Sequence, residues 1–331
     1  MPTPPQGLPP LDAHPVSDAP LPRGHTVDIL LLVMTVIWGS NFAVVKSAFR
    51  ELNPHAFNAM RMTVAAFAFI AIMLVVRRLR PRVEAGRPAG GGDVASIFHT
   101  PARVTTREWI ALAVLGIVGH ALYQYFFIGG LARTSVANGS LMLAVTPVLI
   151  TLLSALLGED RIGPAQWLGA AISLFGIYLV VGSGLALGGQ GLTGDLMMFG
   201  AVCCWATYTM GSRPLMARHS PVAISGLSMA FGTAIYVPLL WREVSGVAWL
   251  EVSGWTLFLL VYSALFALCV AYTIWYIGVR QLGSARTSAY SNFIPIVAMV
   301  SAALFLGEPI GARKIIGAAA VLAGVALTRS R

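Results

Sequence analysis

Leu156-Leu157-Gly158-Glu159 and Phe305-Leu306-Gly307-Glu308 are one passage written twice. After the first glutamate comes Gly169, ten residues on, and Gly176 seven further. After the second comes Gly317, nine residues on, and Gly324 seven further. Each passage closes one long apolar stretch and opens the next. A chain that repeats such a unit is built from two related halves. Other pairs extend the repeat: Trp38, Lys46 and Pro54 stand 167 residues before Trp205, Arg213 and Pro221, and Pro147 stands 148 before Pro295. The offset changes because the first half carries an Arg/Gly/Pro-rich loop over 77–107, where the second has a short polar stretch at 242–253.

Of the 331 residues, 57% are hydrophobic and 11% charged. A soluble domain carries about 25% charged residues, so this composition belongs to a membrane protein. Ten apolar stretches approach the roughly 20 residues a helix needs to cross a bilayer. They are spans 1 to 10, at 28–48, 55–76, 108–130, 135–157, 164–182, 194–212, 221–241, 254–277, 285–306 and 312–328. The predicted fold is all-α and integral to the membrane, with ten transmembrane helices in two inverted five-helix repeats. The repeats occupy 28–182 and 194–328, after a disordered cytoplasmic tail at 1–27. Five is odd, so the second half enters from the opposite side, and a pseudo-twofold axis lies in the membrane plane.

The net charge of +9 invites a nucleic-acid reading, but its distribution argues for topology instead. With the N-terminus inside, inner segments hold 15 Lys/Arg and outer segments five. That is the positive-inside pattern, and it places both termini in the cytoplasm of a multi-pass protein of the inner (plasma) membrane. No nucleic-acid partner is expected. Cys203, Cys204 and Cys269 fall inside spans, so no disulfide framework is indicated. The tail lacks the apolar core of a cleavable signal peptide.

Repeated membrane halves place a binding site near the bilayer midplane, so polar and aromatic residues in mid-span are the candidates. Trp38 and Asn41 share a face of span 1, and Trp205 and Tyr208 a face of span 6. Span 3 offers His120, Tyr123, Gln124 and Phe127 on one face. His120 reads as a neutral imidazole bonded to a neighbouring helix, with a proton-accepting role as the alternative. Span 8 supplies Tyr262, Tyr272, Trp275 and Tyr276, the last as an interface anchor. Spans 4 and 9 carry Pro147 and Pro295 near their centres, where a kink frees backbone carbonyls. Ser140 and Thr146 lie near the first, and Tyr290, Ser291 and Asn292 near the second.

Arg61 lies seven residues after Pro54, within span 2. A lipid-facing charge there is costly, so it faces inward. Bonds to helix-end carbonyls are the expected role, and a substrate carboxylate is the alternative. Lys46 is expected to snorkel to the outer surface. Glu159 and Glu308 follow a C-cap glycine and read as turn architecture, each at the start of the next helix. The small residues of spans 5 and 10 are assigned to close packing.

With these residues in view the chain resembles the drug/metabolite transporter superfamily, in its ten-helix EamA-like branch, over about residues 28–328. The marks are Trp38-Gly39-Ser40-Asn41, Arg61 after Pro54, the two Leu-Gly-Glu turns, and the glycine-spaced spans 5 and 10. The resemblance implies a permease, often an exporter of amino acids or related metabolites. The small multidrug pumps of that superfamily use a glutamate buried in their first helix. Span 1 has only Asp28, at its edge. The expectation is therefore a secondary transporter working by alternating access. Its partners are a small-molecule substrate and the lipid bilayer, with a homodimer left open and no cofactor or metal. The rival readings are an intramembrane hydrolase, from Gly226-Leu227-Ser228-Met229 with His120 as base, and a non-transporting membrane sensor.

Overall fold

The computed structural model describes residues 24–84, 95–98, 103–156, 163–181, 190–216 and 218–329. Gly158, Glu159, Arg161 and nearly all of the expected tail lie outside the described residues. All regular structure among the described residues is helical. Among the described residues, five helices are long and apolar enough to cross a membrane: Thr26–Ala48, Pro54–Arg78, Thr106–Arg133, Pro221–Leu239 and Gly254–Leu282. Val136–Ile150, Trp167–Leu179 and Ile294–Leu306 are shorter apolar helices. Spans 6 and 10 are helical over Gln190–Met216 and Ala312–Arg329. Outward faces are apolar, with Phe67 at 68% and Leu304 at 74% exposure. Such surfaces suit hydrocarbon, where each helix satisfies its own backbone.

Local chemistry sets the helix starts. Pro54 and Pro221 open their helices, where the missing N–H has no intrahelical partner to lose. Thr105 caps span 3 in a capping box with Glu108, and Ser253 caps span 8 by accepting from Thr256 N. These two caps stand 148 residues apart, in register with the repeat.

The repeat extends to the irregularities of the helices. Span 3 widens to a π-helix at Ile117–Leu122, and span 8 does so at Ser263–Val270. Span 4 breaks at Ala144-Val145, and span 9 at Asn292-Phe293. Val145 and Phe293 are 148 apart. The sequence reading put a kink at each proline. Instead each break precedes its proline, which becomes the second residue of the resumed helix, where its absent N–H costs no bond. The separation expected between spans 8 and 9 is also revised. The helix Ala271–Ser291 runs through it, and no proline interrupts 278–291.

Packing follows the same pairing. Span 1 packs on spans 8 and 9, as span 6 does on spans 3 and 4. Span 2 packs on span 8, as span 7 does on span 3. Spans 2 and 7, 4 and 9, and 5 and 10 pair with each other. Exchanging each span for its counterpart leaves these contacts unchanged. In the span 5–10 pair, a Cβ on Gly176 would lie 2.7 Å from Val321 N, and one on Gly324 2.5 Å from Gly169 O. Only glycine allows those backbones to touch, as the small-residue reading anticipated.

Two expectations for charged residues need correction. Lys46 does not snorkel. It pairs with Glu308 at 3.7 Å and donates to the Thr134 carbonyl. Glu308 accepts from Val136 N at 3.1 and 3.2 Å, so it serves the N-terminus of Val136–Leu143 rather than that of Ala312–Arg329. The dipole argument applies, but to a helix distant in sequence. Gly307 takes φ 69°, the left-handed C-cap expected of it.

The segments after spans 1 and 6 clasp the helix starts of the opposite half. Glu51 accepts from Ser253 N at 3.0 Å and Ser253 Oγ at 2.9 Å, and these bonds hold its carboxyl below the usual carboxylate range. Arg218, 167 residues later, pairs with Glu108 at 2.9 Å.

Candidate functional site

Trp38 and Trp205, equivalent under the repeat, meet edge to face with ring centroids 5.8 Å apart. Tyr272 closes on both, at 5.7 and 5.3 Å, and Trp275 lies 5.7 Å from Trp38 and 6.1 Å from Trp205. Trp38 Nε1 donates to Ala267 O at 2.9 Å, a carbonyl within the π-helical part of span 8. These rings wall a cavity of about 90 Å³, room for several waters or a small organic molecule. Its lining comes from spans 1, 2, 3, 4, 6, 8 and 9 and includes the edges of both helix breaks.

Arg61 also lines the cavity and is 1% exposed. Its Nε and Nη2 donate to Asn58 Oδ1 at 3.1 and 2.7 Å. Nη2 also donates to Gln124 Oε1 at 2.7 Å, and Nη1 to Ser263 Oγ at 3.0 Å. Ser263 donates onward to Asn41 Oδ1 at 2.6 Å. The expected partners were helix-end carbonyls. The actual ones are side chains, and they tie spans 1, 2, 3 and 8 together. All are neutral, and no ion pair among the described residues includes Arg61. Taking a cation out of water costs roughly several kcal/mol. Hydrogen bonds to a charged group return about 1.5–3 kcal/mol each, which explains the density of acceptors.

The second half holds a neutral counterpart. Ser228 stands 167 residues after Arg61, and Tyr208 stands 167 after Asn41. His120 Nε2 lies 3.2 Å from Tyr208 Oη and 3.1 Å from Ser228 Oγ, and those two oxygens are 3.0 Å apart. All three residues are fully buried and lie behind the cavity wall. The cluster therefore bonds His120 to neighbouring helices. The Ser228–His120 pair invites a nucleophile reading. However, the Ser228 hydroxyl donates to Ile224 O at 2.6 Å. His120 Nδ1 also lacks a partner among the described residues to orient it. An activated serine needs its proton on the base and the base held by a third group.

Ten of the candidates from sequence converge on the cavity: Trp38, Asn41, Arg61, Tyr123, Gln124, Thr146, Pro147, Trp205, Tyr272 and Trp275. Six lie elsewhere. His120 and Tyr208 form the cluster behind it. Tyr262 stacks on Phe266 at 4.9 Å on an outward, apolar face. Tyr290 Oη donates to Asp28 Oδ1 at 2.6 Å near the start of span 1. Asn292 occupies the break of span 9, and Pro295 is buried just beyond it. The π-helices explain two of these departures. A wider turn rotates the faces, so residues four apart across it no longer align. Cavity residues outside the candidate set include Phe42, Leu143, Ala144, Ile150, Ala267, Leu268 and Ile294. They are apolar, and the only signal that could single them out is proximity to the breaks and π-turns.

A cavity of this kind, between repeated halves in an apolar helical shell, can take up a small molecule. The family model described as the EamA-like transporter family matches residues 25–91, 93–182 and 192–330. The chain belongs to the EamA-like transporter family. It is accordingly a multi-pass membrane protein of the drug/metabolite transporter superfamily. Among relatives, "Uncharacterized transporter YyaM" of Bacillus subtilis (strain 168) is 25% identical, over 90% of this chain and 91% of its own length. "Probable terminal-alkyne amino-acid exporter" of Streptantibioticus cattleyicolor is 27% identical, over 91% and 92%. "Probable amino-acid metabolite efflux pump" of Escherichia coli (strain K12) is 22% identical, over 90% and 92%. A solved crystal structure superposes with a TM-score of 0.63 at 19% identity, over 92% of this chain and 97% of that one, and shows the shared fold.

Proposed function

We propose that this transporter exports a small organic metabolite, an amino acid or a related compound, across the inner membrane by alternating access. The observation that carries the reading is the aromatic cavity at the contact of Trp38 and Trp205, the matched residues of the two halves. A site on the repeat interface is where rocking of one half against the other exposes cargo to each side in turn. The halves, 28–182 and 194–328, are related by inversion in this account, with both termini cytoplasmic. The helix breaks support it, since interrupted helices suit elements that line a pathway. Two relatives named for export of amino acids or their metabolites support this cargo class and direction. In this reading the chain is not an enzyme, and Ser228 and His120 are structural.

The deciding experiment compares metabolites inside and outside cells that lack or overexpress the protein. Overexpression should lower an amino acid or relative inside and raise it outside. Equal profiles would refute export. For orientation, a cysteine introduced by Gly90→Cys should react only with reagents on the cytoplasmic side, and labelling from outside would overturn the topology. For the hydrolase alternative, the wild type should show no proteolytic activity, and proteolysis lost in Ser228→Ala and His120→Ala with cargo flux intact would favour the enzyme.

A further inference from the structure

The cavity carries one charge and it is positive. Arg61 is its only charged residue among those described, and the lining contains no Asp or Glu. A guanidinium has five N–H donors. Four are engaged, by Asn58, Gln124 and Ser263, which leaves one on Nη1. None of the acceptors is charged. The repeat sharpens the asymmetry, because the position equivalent to Arg61 is Ser228, so duplication doubled the frame but not the charge. A second residue lining the same space carries an unsatisfied donor. Trp275 is 2% exposed, and its Nε1 has no hydrogen-bond partner among the described residues. Buried indole N–H groups ordinarily find one. The rest of the wall is mainly aromatic and apolar, with the neutral polar side chains of Asn41, Gln124, Ser140, Thr146 and Ser291 among it. Among the described residues it holds no carboxylate to pair with a cargo ammonium.

We propose that the cargo is recognised as a monocarboxylate: its carboxylate neutralises Arg61 and accepts from Trp275 Nε1, and its apolar body occupies the box of Trp38, Trp205 and Tyr272. This rests on the transporter reading and narrows it. Guanidinium is the cation whose fork matches a carboxylate, and a charge-assisted bond in a desolvated pocket is stronger than one in water. A zwitterionic amino acid satisfies Arg61 but leaves its ammonium without a carboxylate partner, held only by neutral oxygens and ring faces. An amine of the same shape meets a like charge. The predicted order of affinity is therefore carboxylate, then amino acid, then amine.

The test uses the full chain in proteoliposomes and two matched sets of probes. One is 3-phenylpropanoate, phenylalanine and 2-phenylethylamine, and the other is 4-methylpentanoate, leucine and 3-methylbutylamine. Binding is read from tryptophan fluorescence, since Trp38, Trp205 and Trp275 wall the cavity. Wild type should bind a carboxylate about tenfold more tightly than its amino acid, with no saturable binding of the amine. Arg61→Gln should remove that preference, and Arg61→Lys should restore part of it. Trp275→Phe keeps the ring and removes the N–H, so it tests the claim even where Arg61→Gln does not fold. It should weaken carboxylate binding about threefold or more while leaving propylbenzene, which has no acceptor, unchanged. Equal affinities within each set, no saturable binding of either carboxylate, or unchanged carboxylate affinity in both Arg61→Gln and Trp275→Phe would overturn the proposal. Flux of phenylalanine or leucine, measured in the same vesicles, separates the two readings. Flux that persists at the wild-type rate in Arg61→Gln overturns the carboxylate anchor and leaves the transporter standing.

Discussion

Gly116→Ala should cost this protein about 1–3 kcal/mol, and the estimate follows from one helix crossing. A Cβ built on Gly116 in span 3 lies 2.5 Å from Ser228 O, 2.7 Å from Phe231 Cβ and 3.0 Å from Gly232 N in span 7. Reciprocally, a Cβ on Gly232 lies 2.7 Å from Gly116 O and 2.4 Å from His120 Cβ. Two of the atoms met by the new methyl are backbone, so no rotamer change relieves the clash. Ordinary contact begins near 3.4 Å, so the two backbones must part by about 0.9 Å. Overpacking of this sort costs about 1–3 kcal/mol. The same displacement stretches the 3.1 Å contact of His120 with Ser228, and losing a buried hydrogen bond adds about 1 kcal/mol. The gain in helix propensity from Gly to Ala, about 1 kcal/mol, offsets part of this. The assay is the unfolding free energy in detergent, with Gly254→Ala as control, because nothing lies within 4 Å of the Cβ position there. Gly254→Ala should be neutral or slightly stabilising. If Gly116→Ala matches the control, the close crossing of spans 3 and 7 is wrong.

Other consequences concern the polar contacts at the helix ends. Glu308→Gln should destabilise the protein by about 1 kcal/mol, since it removes an anionic cap from Val136–Leu143 together with the partner of Lys46. Lys46→Met should add little in the Glu308→Gln background, and additive effects in a double-mutant cycle would refute the coupling. The Glu51 clasp should depend on pH in a definite direction. Its carboxyl titrates lower in the folded protein than in the unfolded chain. The contribution is therefore present above the ordinary carboxylate range and lost as pH falls through the lowered folded value. Spin labels on the segments around residues 51 and 253 should separate on acidification in wild type but already be apart at neutral pH in Glu51→Gln. Identical distances in both proteins at every pH would show that the clasp does not form.

The frame of the fold was legible because it depends on composition and long periods. Apolar length gave the helices, and the 167- and 148-residue offsets gave the pairing of Trp38 with Trp205 and of Pro147 with Pro295. Side-chain direction was legible only where helices are regular. Trp38 and Asn41 point together because span 1 is an uninterrupted α-helix. His120 and Gln124 part company because a π-turn lies between them, and no residue in Ile117–Leu122 announces it. Apart from Asn58 in its own helix, the partners of Arg61 come from spans 3 and 8, and those of Glu308 from spans 1 and 4. Contacts that distant in sequence leave no local mark, so the Arg61 network and the Lys46–Glu308 pair needed coordinates.

The central claim is that cargo passes through the space where Trp38 meets Trp205. Flux of a cargo identified by metabolite comparison, measured in proteoliposomes with Trp38→Ala and Trp205→Ala, tests it most directly. The account predicts that each variant inserts normally and transports at least about tenfold more slowly, a loss of roughly 1.4 kcal/mol or more from the bound or moving state. Normal flux in both variants would contradict it.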